Sequence, residues 1–344
     1  MKDMERAAKR IRLAIKRREK IRIYGDYDVD GVAAVFLLMA TLKELGGEVD
    51  FYIPHRVEEG YGLNTGAIDR AAEDGVSLLI TVDCGISSKT EVEYAASRGL
   101  DVIVTDHHRP PKELPPALAV IDPKQEDCSY PFDELAGVGV AFKLAAAAAA
   151  ACGGTLDSLQ IPYRYLDVVA LGTVADVAPL VGENRILVKY GLEKLSSSEN
   201  AGLAALVKVS GLSERTLVPA HISFGLGPRI NAAGRIGNPA LGVQLLLSQS
   251  LEEAERLAGH LNQENERRQA LELNILGEVI RRVEDEVDLD SEKVIVIAGE
   301  EWHPGVIGIV ASRIAEIYHR PVILISLQGE EGRGSGRSIS GFDL

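Results

Sequence analysis

Four short segments carry carboxylates and imidazoles in patterns that an ordinary protein surface does not need. The first is DYDVDG, Asp26 to Gly31, where Asp26, Asp28 and Asp30 stand at alternate positions just ahead of a helical pattern. At about 4 Å and an effective dielectric of about 20, each like-charge pair costs on the order of 4 kcal/mol, so the spacing makes sense with a bound divalent cation. A solvated acidic turn that caps the next helix is the competing reading of an isolated DxDxDG. An EF-hand loop is disfavoured, because its twelfth position wants a glutamate and Leu37 stands there.

The second segment is TVDCG with Asp83, which alone reads as an ordinary helix-entry aspartate. The third is VTDHH, where His107 and His108 adjoin Asp106. Two adjacent imidazoles at a strand end, each with a neutral nitrogen of the kind a borderline metal prefers, point to a site. The fourth is Asp176 in ALGTVADVAPL, an apolar stretch where a carboxylate needs either a metal or a cap to satisfy. Together these residues have the types and number for two cations about 3.5 to 4 Å apart that share a carboxylate.

The elements that must position them follow from the apolar runs. IRIYGDYD, EVDFYIP, LLITVDCG, DVIVTDHH and LAVIDP alternate with helical patterns such as VAAVFLLMATLKEL. Strands apolar throughout and ending in polar residues predict a parallel sheet covered on both faces, with its chemistry along the carboxyl edge. After Gly137 the chain turns helical. Leu251 to Val287 has apolar residues at helical spacing and predicts one long connecting helix. VIVIAGE, HPGVIGIVASRIAEIY and PVILISL then start a second α/β unit, followed by a glycine-rich loop, GRGSGRS. The chain stops at Leu344, soon after that loop, which predicts a short second sheet and a truncated carboxyl-terminal region.

The bulk composition narrows the function. The 344 residues exceed one ordinary core, and a net charge of −14 excludes polyanion binding over the whole surface. Any nucleic-acid contact must be local, beside acidic residues offset by cations. The three cysteines, Cys84, Cys128 and Cys152, are too few and too scattered for a disulfide framework or a CxxC metal site, which fits a reducing cytoplasm. No apolar run is long enough to span a membrane, and no membrane partner is expected. There is no GxxxxGK[ST], and GVGVAF is only part of a GxGxxG, so neither a nucleotide-driven motor nor a dinucleotide oxidoreductase is supported.

DYDVDG, TVDCG, VTDHH and ALGTVADVAPL, in this order, resemble the first four motifs of the DHH phosphoesterases, and the DYDVDG spelling is similar to the RecJ-type single-strand-specific exonucleases. The likeness continues through PHRVEEGYGLN, GLGPRINAAGRIG, WHPGVIGIVASRI and GSGRS, spanning almost the whole chain. It implies an α/β fold with an amino-terminal DHH domain (1–195), a helical connector with the long helix (196–287) and a partial DHH-associated substrate-binding domain (288–344). It also implies 5′→3′ hydrolysis of single-stranded DNA to mononucleotides in repair and recombination, with two divalent cations, Mn2+ or Mg2+, as cofactors.

By the same resemblance Asp28, Asp30, Asp83, His107 and Asp176 are metal ligands, with Asp83 bridging and Asp26 a ligand or its neighbour. His108 faces the scissile phosphate as proton donor or charge stabiliser, and an activated water attacks in line without a covalent intermediate. Arg56, Arg229, Asn231, Ser335 and Arg337 are expected substrate contacts, the last two at a terminal phosphate. An ordinary ion pair competes with that role for each arginine. Trp302 and His303 offer a stacking face, with core packing the stronger expectation for the tryptophan. The partners implied are the 5′ end of single-stranded DNA, a helicase and a single-strand-binding protein. The alternative within the superfamily is a phosphodiesterase acting on short oligonucleotides or small cyclic nucleotides; outside it, a nonenzymatic scaffold would be expected to lack metal ligands that are present here.

Overall fold

The computed structural model describes residues 1–344. It forms two compact units, residues 1–234 with 238–262, and residues 235–237 with 263–344. The second boundary falls inside the long helix, so the stretch 196–287 expected as one connector divides between the two units.

The first unit opens with α1 (Met4–Arg17), β1 (Lys20–Gly25), α2 (Val29–Glu44), β2 (Glu48–Tyr52), α3 (Thr65–Glu73), β3 (Val76–Val82), α4 (Lys89–Ser97), β4 (Asp101–Thr105) and β5 (Ala119–Ile121). The five strands make one parallel sheet in the order β2-β1-β3-β4-β5. Alternation along the strands sorts the residues between two layers. Ile21, Ile23, Leu78, Ile80 and Ile103 enter the large core beneath α1 and α2, while Tyr24, Leu79, Val102 and Val104 join the smaller core under α3 and α4. Arg22 breaks the apolar pattern of β1 because it has partners: it forks onto Asp50 at 2.7 and 2.6 Å and reaches Asp74 at 2.8 Å.

Helix α2 is apolar around most of its circumference and runs through the middle of the core, as such a helix must. The unit continues with α5 (Gly137–Cys152), α6 (Leu156–Gln160), α7 (Leu166–Ala175), α8 (Gly182–Leu195), α9 (Ala201–Val209), the short α10 (Pro219–His221), a π-helical turn at Ile222–Leu226, α11 (Gly227–Ile236) and α12 (Ala240–Leu247).

The long helix α13 (Leu251–Glu286) ends one residue short of the span expected from the sequence. Its second half packs Ile275, Val279 and Val283 into the core of the second unit, with β6 (Ile295–Glu300), α14 (Ile307–Tyr318), β7 (Val322–Gln328) and β8 (Glu331–Arg337). The sheet order is β6-β7-β8, parallel then antiparallel. The glycine-rich GRGSGRS, expected as a loop, is therefore mostly strand. It has no apolar alternation to announce it, and its pairing with β7, from Val322↔Arg337 to Gln328↔Glu331, rests on backbone hydrogen bonds along an exposed edge. Trp302 is core: it is buried, and its indole N–H donates to Glu278 at 3.0 Å.

Candidate metal centre

The order β2-β1-β3 reverses direction between β1 and β3, and a crevice opens at the carboxyl ends of the strands where such a sheet reverses. DYDVDG follows β1, and Asp83 follows β3. The sequence therefore places its two acidic segments on either side of the topological switch point. Asp106, His107 and His108 follow β4, the next strand, and Asp176 caps the carboxyl end of α7.

Local structure fixes each carboxylate. Asp28 is the N-cap of α2, and its Oδ1 accepts the amides of Asp30 at 2.9 Å and Gly31 at 3.1 Å. Asp26 accepts the Tyr27 amide at 2.7 Å. Asp30 is fully buried and accepts both leading amides of α5, from Gly137 at 2.6 Å and Val138 at 2.9 Å, so it ties α2 to the positive end of a second helix. Asp83 has φ +58°, an uncommon value for a side chain other than glycine, which turns it inward against Gly137. A Cβ at Gly137 would stand 2.7 Å from the Asp83 carboxylate, so only glycine fits there.

These side chains converge. Ligand atoms of Asp26, Asp28 and Asp83 lie within 4.8 Å of one another, as do those of Asp83, His107 and His108, and those of Asp30, His107 and Asp176. Asp83 and His107 each belong to two of the three groups. Asp83 Oδ1 and His107 Nε2 are 3.0 Å apart, yet each is buried without a hydrogen bond, because the approach does not follow a hydrogen-bonding direction. Two buried polar atoms this close together, neither with a hydrogen-bond partner, suit a cation, which would take up both lone pairs.

The electrostatics agree with that fit. Burial first, then neighbouring carboxylates, pushes Asp26 up to about 8 and Asp176 up to about 6, and drives Asp30 and Asp83 well above the ordinary carboxylate range. Burial, aided by His108, holds His107 down to about 4, so its imidazole is neutral at pH 7 and able to ligate. Asp106 goes the other way. Burial opposes its charge, but the His108 ring and the amides of Ile86 and His108 outweigh that and hold it below the ordinary value. The same contact raises His108, whose Nδ1 is 2.7 Å from Asp106 Oδ1 and whose ring is half exposed.

The expected substrate residues are less uniformly placed. The Arg56 guanidinium lies over the Tyr27 ring at 4.9 Å, directly beside DYDVDG. Asn231 turns to that loop's backbone, its Oδ1 accepting the Val29 amide at 3.1 Å, so it braces the acidic segment. Arg229 on α11 donates to the Gly225 carbonyl and to Asn262. In the second unit, Arg337 donates to Ser312 at 3.0 Å and to Ser335 at 3.2 Å, and with Ser335 it crowds the start of α14 near Gly308.

Sequence reading missed three residues near the cluster. The Tyr61 hydroxyl donates to the Asp83 carbonyl at 3.2 Å, and its ring meets His108 edge-on at 6.2 Å. Glu59 orders the loop that carries Arg56 and Tyr61, accepting from the Tyr52 hydroxyl, the His55 amide, Asn64 and Arg70. Asp122 follows β5 as Asp83 follows β3; it is fully buried, its Oδ2 has no partner, and burial pushes it up to about 7. The signal for Asp122 was present in LAVIDP, a strand ending in a carboxylate like the others.

The chain matches the model of the DHH family, N-terminal domain, over residues 20–173 and that of the DHHA1 domain over residues 291–344. It is 46% identical to the single-stranded-DNA-specific exonuclease RecJ of Bacillus subtilis over its full length and 40% identical to the protein of that name from Escherichia coli. It covers 43% of the first relative and 62% of the second, so it spans about half the length of the curated relatives it matches. A crystal structure of an exonuclease RecJ bound to manganese superposes with a TM-score of 0.86 at 39% identity, over 99% of this chain and 83% of that one. No helix is long and apolar enough to cross a membrane.

Proposed function

The chain belongs to the RecJ family of DHH phosphoesterases, and from that premise we propose that it is the cutting core of a single-stranded-DNA exonuclease. It removes mononucleotides from the 5′ end, in DNA repair and recombination, with two divalent cations, Mn2+ or Mg2+, as cofactors. The observation that carries the reading is the pair of unsatisfied atoms, Asp83 Oδ1 and His107 Nε2, facing each other at the switch point of the sheet. The solved relatives hold Mn2+ in two cases and Mg2+ in a third, which supports the choice of cation.

Asp26, Asp28, Asp30, Asp83, His107 and Asp176 would hold the cations, with the Asp83 carboxylate the group that could be shared. Bound there, two cations lower the pKa of the attacking water and offset the charge that grows on the phosphate and the leaving oxygen. The remaining work falls to side chains. Asp106 keeps the Nδ1 hydrogen of His108 in place, which leaves Nε2 to present a proton to a phosphate oxygen or to the departing 3′ oxygen. Arg56 and Arg229 hold backbone phosphates, Asn231 keeps the acidic loop in register, and Ser335 with Arg337 takes the terminal phosphate.

The proposed division of labour places cutting within residues 1–195, and strand holding mainly within 196–287 and 288–344 with Arg56 contributing from the first domain. A helicase and a single-strand-binding protein are the proposed upstream partners, and the three unpaired cysteines favour the cytoplasm. The test is digestion of a 5′-labelled oligothymidylate with Mn2+, compared with turnover of a dinucleotide. Label released as mononucleotide, and lost in Asp83→Ala and His107→Ala, is the expected result; undiminished activity in either variant, or a preference for the dinucleotide, overturns it.

A further inference from the structure

A second cavity of about 670 Å3 lies in the first unit, lined by Lys9, Arg12, Leu13, Ile15, Lys16, Leu45 and Cys152. Its position follows from two helices. Helices α2 and α5 both start at the carboxylate cluster, with Asp28 capping one and Asp30 holding the first amides of the other, and both end at this cavity, at Leu45 and Cys152. Each has 16 residues, so the cavity is roughly 24 Å from the metal centre. Nothing in the proposed cleavage reaction uses it.

Its chemistry is unlike that of the rest of the molecule. Although the chain carries a net charge of −14, residues 1–20 hold nine of its 37 Lys and Arg and only three of its 51 Asp and Glu. Lys9 pairs with Glu5 on its own helix, but Arg12 and Lys16 are exposed and pair with no carboxylate. They form the rim. The floor is aliphatic, built from partly buried Leu13, Ile15 and Leu45, with the half-buried Cys152 thiol between them.

We propose that this cavity docks an acidic peptide segment of a partner protein, one that carries aliphatic side chains for the floor and carboxylates for Arg12 and Lys16. Charge complementarity sets the sign of the partner, and the long-range field of a basic patch on an acidic protein draws such a segment to this face. A nucleic acid satisfies the rim but not the floor. Sequence-tolerant strand binding relies on aromatic faces that stack on bases, and no aromatic residue lines the cavity. An open cavity with aliphatic side chains at its floor and cations at its rim suits one or two apolar side chains flanked by carboxylates. The inference stands apart from the nuclease reading and does not depend on it.

The test uses the full chain and fluorescence anisotropy with a labelled synthetic peptide of Glu and Asp ending in paired Leu residues. Two competitors are a matched peptide with Ser in place of Leu and an oligothymidylate of equal charge. The acidic Leu peptide is expected to bind, with affinity lowered about tenfold or more by the double variant Arg12→Glu, Lys16→Glu, at two exposed positions. The Ser peptide should bind distinctly less well. In a Cys128→Ser background, where Cys84 is buried, the bound peptide should slow alkylation of Cys152. Absence of binding, binding indifferent to the double variant, or an oligothymidylate that binds as tightly with the same sensitivity overturns the proposal.

Discussion

Asp106 Oδ1 lies 2.7 Å from Nδ1 of His108 and also takes the amide hydrogens of His107 at 2.8 Å and His108 at 3.1 Å. One buried oxygen thus fixes the turn after β4, the orientation of the exposed ring and the charge that ring carries. Asp106 is not among the close ligand groups of the candidate metal centre, so in the proposed reaction its influence would run through His108.

Asp106→Asn keeps the shape of that turn and removes the charge. The kcat should fall about 10- to 100-fold, as is usual when a buried partner of an essential group is lost. Because Asp106 raises His108, its loss shortens the range over which the ring stays protonated, and the alkaline limb of the kcat profile should move to lower pH. Calorimetry should find Mn2+ affinity little changed; a large loss of metal affinity would place Asp106 in the metal site instead.

Asp83→Asn separates repulsion from ligation. Asparagine tolerates the φ of +58° at this position, so the backbone should survive the change. In EDTA the variant should melt higher than the parent, by roughly 2–4 °C for about 1 kcal/mol of relieved repulsion. With Mn2+ it should gain far less stability than the parent and lose activity. A variant that melts lower in EDTA would show that the carboxylates do not repel one another as described.

The pH dependence of the metal-free protein follows from carboxylates that the fold raises. Their folded values, about 8 for Asp26 and about 6 for Asp176, exceed the ordinary unfolded value, so the native state holds more protons and stability falls as pH rises through this window. Cations bind the ionised forms. Mn2+ affinity should therefore increase from pH 6 to pH 8, and binding should release protons, seen as a buffer-dependent heat in calorimetry. A buffer-independent heat would contradict the assignment.

Glu59→Ala removes the acceptor around which the Arg56 and Tyr61 loop is arranged. Each hydrogen bond to a charged acceptor is worth about 1.5 to 3 kcal/mol, and the loop should become accessible to protease while the sheet stays intact. KM for single strands should rise more than kcat falls. Burial opposes the charge on Glu59, but the His55 amide, the Tyr52 hydroxyl, Asn64 and Arg70 outweigh that and hold it below its ordinary value. Acid should accordingly loosen this loop progressively as pH falls from the ordinary glutamate value through that lowered one.

Gly234→Ala tests how the acidic loop is seated. A Cβ there would stand 2.4 Å from the Tyr27 carbonyl, so α11 or the loop must move. A stability loss of about 1–3 kcal/mol is expected from such overpacking. Weakened Mn2+ binding should accompany it, because Tyr27 lies between Asp26 and Asp28. Unaltered metal affinity would mean that the helix yields and the loop does not.

Most of the parallel sheet was legible because strands buried on both faces are nearly continuous apolar runs, and four of the five end in an acidic or Asp-bearing segment. The candidate metal ligands stood out for the same reason: carboxylates that have no business in apolar stretches are conspicuous. Other features depend on tertiary context. Nothing in GRGSGRS signals a strand, since its pairing comes from β7. Glu59 looks like an ordinary acidic residue, and the role of Asp106 beside His108 stays hidden, until their donors, distant in space or contributed by the backbone, are in place. Asn231 sits in a motif read as substrate-binding, yet the atom it presents to Val29 is a matter of helix approach that no spacing encodes.

The cluster gathers residues as far apart in the chain as Asp26 and Asp176, through β1, β3, β4 and the end of α7. Parallel strands joined by crossover helices require long loops to close before their contacts repay the entropy, which makes such pairing slow. A chain with any of these segments still undocked lacks at least one face of the site. Completion of the ligand cluster is therefore expected late in folding, after every one of these segments has docked.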